Sequence, residues 1–427
     1  VYKRQIQYHS ATFRRIRWAK QGIFVIKRSR SIDDRRGCWQ KGFLHFAVLS
    51  VFLISISEAS FAAGKGKDTF PKLGGIQIGQ TPYDGYGDPA SQRAIARLDL
   101  AIMSNKGANG TEHAKQIKDI NPNVLLGPYF NLTAVLEGKP GYHDPLDDKL
   151  SKEQGPNNSN AADWWLRDTD GNKITGASAG MVRSNPTAWT KPDSNGDRWP
   201  EWKAKYDYNW MMKDKVWDIY YQDVVSWKPK FQARQIDADF SGGKVNEAKT
   251  IYKAWRQAHN DHWKKMRQLR PDVMVVGNIN WYLQHHDKGV LNMPLYEQQI
   301  EGGILEHVMH WTHSVEAKEG WHTLRQWYSW TMGYMKDPKL VIFNVYGDPS
   351  DYRFFRYAFA TCLMDDGYFD FSPEGRYNFG TVQWFDEFDL AGTAGTDWMG
   401  RAVSPPQMTA WKNGVFRRDF ENAVVLV

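Results

Sequence analysis

Residues 340–371 read LVIFNVY-GDPS-DYRFFRYAFATCLM-DD-GYFDF. Six of the first seven are branched or aromatic and suit a strand, Asn344 being the exception. Gly, Asp, Pro and Ser then break the run. Residues 351–364 carry apolar side chains at helical spacing, and 367–371 return to a short apolar run. Strand, helix, strand is the repeating unit of a parallel sheet with crossover helices.

The same rhythm extends upstream. Strands are expected at 75–79, 98–103, 124–130, 235–240, 273–280 and 303–308, which with 340–346 and 367–371 makes eight. Helices are expected at 210–227, 247–269, 322–336 and 351–364. Eight strands in βα order is the count that closes a barrel, so the fold class is α/β, a (β/α)8 TIM barrel. An open doubly wound sheet is the competing architecture. It usually carries a Gly-rich phosphate loop after its first strand, and QIGQTPYDGYG is not G-x-G-x-x-G.

One connection is long. Residues 131–203 follow strand three, are rich in Gly, Pro, Asn and Asp, and hold Trp164, Trp165, Trp189, Trp199 and Trp202. So many tryptophans argue for an ordered insertion forming one wall of a cleft on the C-terminal face. Residues 167–173 read as a hairpin with a D-G turn. Calcium loops around Asp168 and Asp170, or Asp193, Asn195 and Asp197, do not fit the EF-hand register. The barrel is expected over 72–383. Residues 384–427 form the start of a C-terminal β-segment, expected to be truncated because it stops inside the apolar run AVVLV.

The net charge of +7 invites a nucleic-acid or membrane-surface reading, but it is unevenly spread. Twelve of the 55 Lys+Arg and two of the 48 Asp+Glu precede Phe43, leaving 43 basic against 46 acidic residues after it. Residues 43–57 read FLHFAVLSVFLISIS, behind Lys41 and ahead of the small residues ASFAAG. That is the layout of a secretory signal peptide, expected over 43–63, and the run is short for a membrane span. The first Met is Met103, so residues 1–42 are read as an upstream-translated extension. The expected location is secreted or periplasmic, with no stable membrane insertion after cleavage and no nucleic-acid partner. Cys38 and Cys362 are too few for a disulfide scaffold.

Carboxylates at strand ends carry the chemistry. In 235–240 (QIDADF), Asp237 and Asp239 share one strand face, and Asp239 lies nearer the C-terminal end. Glu306 ends the strand GGILE two strands later. Two acids flanking a bond suit glycoside hydrolysis: one protonates the leaving oxygen, the other attacks the anomeric carbon or activates water. Asp239 and Glu306 are the catalytic candidates, and Asp237, Asn278, Asn280, Trp281, Asn344 and Asp370 the substrate-binding ones. His307, His310 and His313 match no metal-ligand pattern, and neither metal nor cofactor is expected.

The runs IDADFSGG, GGILEHV, RYAFATCLMDDGYFDF, WFDEFDLAG and NGVFRRDFENAVVLV resemble the bacterial proteins called hypothetical glycosyl hydrolase family 15, which are unrelated to the glucoamylases sharing that number. The resemblance runs from about Lys72 to Val427. It implies a (β/α)8 barrel, an exported enzyme acting on a polysaccharide or oligosaccharide, and catalytic acids at the ends of strands four and six, here Asp239 and Glu306. The chitinase pattern D-x-x-D-x-D-x-E is not met, because Phe240 and Ser241 follow Asp239. The alternative is a non-catalytic carbohydrate-binding barrel.

Overall fold

The computed structural model describes residues 66–78, 86–103, 109–136, 163–175, 181–225, 229, 236–239, 243–245, 248–279, 299–310, 314–373 and 382–427. Eight strands form one sheet, and each lies parallel to its neighbour in sequence: β1 (Gly74–Ile78), β2 (Leu100–Met103), β3 (Leu125–Asn131), β4 (Ile219–Asp223), β5 (Met274–Asn278), β6 (Gly302–Leu305), β7 (Ile342–Gly347) and β8 (Tyr368–Pro373). A parallel bridge from Leu73 to Phe369, with Phe369 N donating to Lys72 O at 2.9 Å, joins the last strand to the first. The sheet is therefore closed into a barrel.

Alternation along each strand sorts the side chains. Ile76, Leu100, Ile102, Ile219, Tyr221, Val276, Ile304 and Ile342 fill the interior. Their neighbours Ala101, Tyr220, Val275, Leu305, Phe343 and Phe369 face outward into a second, larger core under the helices. Gly127 faces inward on β3. A Cβ there would meet Ile219 Cβ at 2.9 Å and Ile102 Cδ1 at 3.1 Å, so the packed interior requires a glycine.

The helices between strands are α1 (Pro89–Ala96), α2 (Gly110–Ile120), α3 (Trp199–Asp207), α4 (Ala248–Leu269), α5 (Val315–Glu319), α6 (Trp321–Tyr334) and α7 (Tyr352–Cys362). In α7 the Asp351 carboxylate accepts from the amides of Arg353 and Phe354, satisfying two free donors of the first turn. Its buried stripe, Phe354, Phe355, Ala358, Phe359 and Cys362, packs on β7 and β8. Phe355 also stacks on Phe385 of the C-terminal segment, with centroids 3.6 Å apart.

The fourth strand differs from the sequence expectation. The helix expected over 210–227 is instead a π-turn (Tyr208–Met212) followed by β4. Ile219, Tyr220 and Tyr221 are poor helix formers whose branched and aromatic side chains pack well on a sheet. Ile236–Asp239, expected as strand four, pairs antiparallel with Gly243–Val245 in a hairpin of the loop after β4 and does not join the barrel.

Between β3 and β4, Ala134–Leu136 pairs antiparallel with Met181–Arg183. Trp164, Trp165 and Trp199 are buried around Leu132, Val135 and Val182. The 167–173 turn closes through an Arg167–Lys173 bridge, with Gly171 at φ +84°. In the C-terminal segment Arg417–Asp419 pairs with Val424–Leu426, and Thr69–Phe70 pairs with Gly400–Arg401.

Candidate active site

The alternation that fills the barrel with aliphatic residues turns polar at the C-terminal ends of the strands. Two residues beyond Tyr221 on β4 comes Asp223. Two beyond Val276 on β5 comes Asn278, two beyond Ile304 comes Glu306, and two beyond Ile342 comes Asn344. Asp370 and Ser372 follow Tyr368 on β8 in the same register. A polar top layer over an apolar plug is what a barrel needs for a solvated site with a stable floor.

Asn278 joins two of these carboxylates. Its Nδ2 donates to Asp223 Oδ1 at 3.0 Å and to Glu306 Oε2 at 2.7 Å. Asp223 also accepts from the Tyr129 hydroxyl at 2.5 Å and the Tyr221 hydroxyl at 3.4 Å. Burial, followed by the Asp223 charge, holds both phenols well above their ordinary values, so they are neutral donors. Arg183, brought in by the 134–136/181–183 hairpin, is buried and feels the Asp223 charge.

A second cluster sits on the other side of Glu306. Asn344 Nδ2 donates to Asp370 Oδ2 at 2.6 Å and Ser372 Oγ at 2.9 Å. Asn344 Oδ1 accepts from His307 N at 3.0 Å, just where the chain turns at φ +51° after Glu306. Burial is the main cause that pushes Asp370 up to about 7; the Asn344 bond opposes it and the Glu306 charge adds to it. His307 packs on Tyr346 and is held down at about 4 by burial.

The outward face of β4 anchors Asp223 from behind. Gln222 bonds His259 Nδ1 at 2.9 Å and accepts from Trp263 Nε1 at 2.5 Å. The Tyr220 hydroxyl meets Asp207 at 2.6 Å and His262 Nε2 at 2.5 Å. Lys203 pairs with Asp207 inside this buried network, which ties α3 and α4 to the strand. Charged and polar groups this deep hold position because each would be costly to leave unpaired.

The expected residues divide as follows. Asn278, Glu306, Asn344 and Asp370 come together as two hydrogen-bonded groups around Glu306. Asp237 and Asp239 lie in the hairpin beyond β4, and their side chains are outside the described residues, as are Asn280 and Trp281. Asp223, Tyr129 and Arg183 were not anticipated. For Asp223 the signal was present: Ile219-Tyr220-Tyr221-Gln222-Asp223 is a strand-like run ending in an acid, just as 302–306 is. Among the described residues, no group of three His, Cys, Asp or Glu is arranged to hold a metal. Asp168 and Asp193 spend their carboxylates on the amides of their own turns.

The sequence profile of hypothetical glycosyl hydrolase family 15 matches residues 118–424. Curated proteins give no match. Among solved structures, the glycoside hydrolase domain of PelA from Pseudomonas aeruginosa is similar at 11% identity and a TM-score of 0.43, over 71% of this chain and 95% of that one. Eubacterium rectale Amy13B is similar at 8% identity and a TM-score of 0.45, over 84% and 87%. A variant of the GH36 alpha-galactosidase AgaA from Geobacillus stearothermophilus, in complex with stachyose, is similar at 9% identity and a TM-score of 0.42, over 71% and 39%.

Proposed function

This chain belongs to hypothetical glycosyl hydrolase family 15, and on that premise we propose that it is a retaining glycosidase whose carboxylate pair is Asp223 and Glu306. The observation that carries the reading is the shared donor. Two oxygens that accept from one planar amide nitrogen, at 3.0 and 2.7 Å, lie about 5 Å from each other, which fits the roughly 5–5.5 Å of retaining pairs better than the roughly 6.5–9.5 Å of inverting ones.

Asp223 is the nucleophile. Hydrogen bonds from Tyr129, Asn278 and Tyr221 converge on its carboxyl oxygens and fix their orientation toward the site. Glu306 is the acid and base. In the first step Asp223 attacks the anomeric carbon while the Glu306 proton passes to the leaving glycosidic oxygen. In the second, Glu306 takes a proton from water, whose oxygen replaces the Asp223 ester, and the anomeric configuration is retained. The substrate is a polysaccharide or oligosaccharide. The signal-like run at 43–63, which lies outside the described residues, supports export. Among the described residues no helix is long and apolar enough to cross a membrane.

The test is hydrolysis of a glycan panel, with the first-formed anomer followed by proton NMR. Retained product from the wild type, with activity lost in both Asp223→Asn and Glu306→Gln, is expected. Inverted product, or full activity in either variant, would sink the assignment.

A further inference from the structure

On the reading of Glu306 as the acid, we infer that Tyr346 is the platform for the leaving group. Its ring stacks on the first sugar unit beyond the scissile bond, and that unit carries no negative charge.

Strand order fixes the direction in which the leaving unit extends. The barrel runs β4, β5, β6, β7, with Asp223 ending β4 and Glu306 following β6. The anomeric carbon faces Asp223 and the leaving oxygen faces Glu306, so the released unit lies beyond Glu306, toward β7. Ile304 pairs with Ile342, which sets Glu306 level with Asn344, and the Asn344 side chain accepts from the His307 amide. Two residues beyond Asn344, on the same strand face, comes Tyr346, half-buried at the mouth of the barrel. Phe343 and Val345 point the other way, into the core under the helices. Among the described residues of β7, Tyr346 is therefore the ring that stands on the inward face just past the acid.

The loop after β6 braces that ring through an unusual backbone. His307 (φ +51°) and His310 (φ +64°) are both non-glycine residues in the left-handed region. Such outliers persist where the surrounding structure over-determines them, and they cluster at functional sites. Each lays its imidazole against an aromatic ring of the next βα unit. His307 packs on Tyr346 with centroids 4.8 Å apart, and His310 on Phe354 at 4.4 Å. Gly347 makes room for the second pair, since a Cβ there would meet the Phe354 ring at 2.7 Å. Burial holds His307 down at about 4, so it puts no cation beside Tyr346 near neutral pH. The two stretches that form this wall, 306–316 and 344–352, contain no Lys or Arg and hold Glu306, Glu316, Asp348 and Asp351. A flat ring with a hydroxyl at its edge, set among acids, suits the apolar face and hydroxyls of a sugar and repels a carboxylate or sulfate.

The experiment gives the full chain two substrates. One is the shortest neutral oligosaccharide of the glycan panel that the wild type cleaves. The other is the glycosyl fluoride of the same glycone, whose leaving group needs neither a proton nor a sugar platform. In Tyr346→Ala the ratio of kcat/KM for the oligosaccharide to kcat/KM for the fluoride should fall about tenfold, the size of a lost ring contact. Tyr346→Phe keeps the ring and should restore most of the ratio. A uronic acid in place of the neutral leaving unit should be cleaved more slowly by the wild type. A ratio unchanged in Tyr346→Ala, or a uronic acid accepted as well as the neutral unit, would overturn the proposal. If Tyr346→Ala does not fold, Tyr346→Leu, which keeps bulk and removes the flat ring, decides the ratio. Panel glycans that bind the wild type without turnover, seen by saturation-transfer NMR, and lose that binding in Tyr346→Ala would overturn the catalytic reading and leave the platform standing. Neither binding nor cleavage of any panel member would overturn both.

Discussion

Tyr129 on β3 donates its phenolic hydrogen to Asp223 Oδ2 at the end of β4, across 2.5 Å. The two residues are 94 positions apart in the chain, and the parallel register Tyr129–Tyr221 brings them side by side. Tyr129→Phe removes one charge-assisted bond and little else. Such a bond contributes about 1.5–3 kcal/mol, so kcat should fall roughly 10- to 100-fold while thermal stability changes little. An unchanged kcat would show that the hydroxyl does not act on Asp223 during turnover.

Asp223 and Asp239 compete for one role. Asp223 stands on the barrel strand and shares a donor with Glu306; Asp239 stands on a hairpin outside the sheet. Asp223→Asn should lower kcat/KM by about 10³-fold or more, since it removes a covalent nucleophile. Asp239→Asn should cost far less. The reverse ranking in steady-state kinetics would return the role to Asp239.

The buried histidines behind β4 make the fold sensitive to acid. Burial lowers His259 and His262 from 6.5 to about 3. Between those values the unfolded chain binds protons that the native state refuses. The stability they contribute is therefore complete above about pH 6.5 and lost as pH falls toward 3. Each can supply up to about 1.4 kcal/mol per pH unit in that window. Denaturant midpoints should fall between pH 6.5 and 5, less steeply in His259→Gln; an equal slope would exclude His259 as a contributor.

Asp370 has the opposite sign. Its native value of about 7 lies above the ordinary 3.8, so the native state binds the extra proton. The associated stability is complete below about 3.8, falls as pH rises, and is exhausted above about 7. Asp370→Asn has no charge to bury. Its stability relative to wild type should therefore rise between pH 4 and pH 7 and level off beyond. Urea midpoints at pH 5 and pH 8 check this, and a pH-independent difference would show that Asp370 ionises freely.

Most of the barrel was legible because seven of its strands announce themselves as short apolar runs between turn residues. The eighth, Ile219–Asp223, was hidden in a longer stretch, Trp210 to Trp227, whose apolar residues also satisfy a helical period. Which period wins depends on what packs against each face, and a short run does not settle that by itself. The consequence reached the site. Strand four lies some sixteen residues earlier than the run IDADF, so the acid that ends a barrel strand there is the one closing IYYQD. Glu306, Asn278, Asn344 and Asp370 lie at the strand ends where the sequence put them, because their own strands were legible and strand alternation aims each one inward.

The sequence by itself determined the class of fold, the alternation that puts polar residues at the strand ends, and the acid on strand six. These depend on local spacing, which a chain carries whatever it packs against. Only the tertiary structure decided which acid stands beside Glu306. It also revealed that one amide of Asn278 holds the two together and that Asp370 reaches the same turn through Asn344. Those relations join β3, β4, β5, β6, β7 and β8, strands far apart in the chain. Closure of the barrel makes them neighbours, and burial then gives each hydrogen bond its strength.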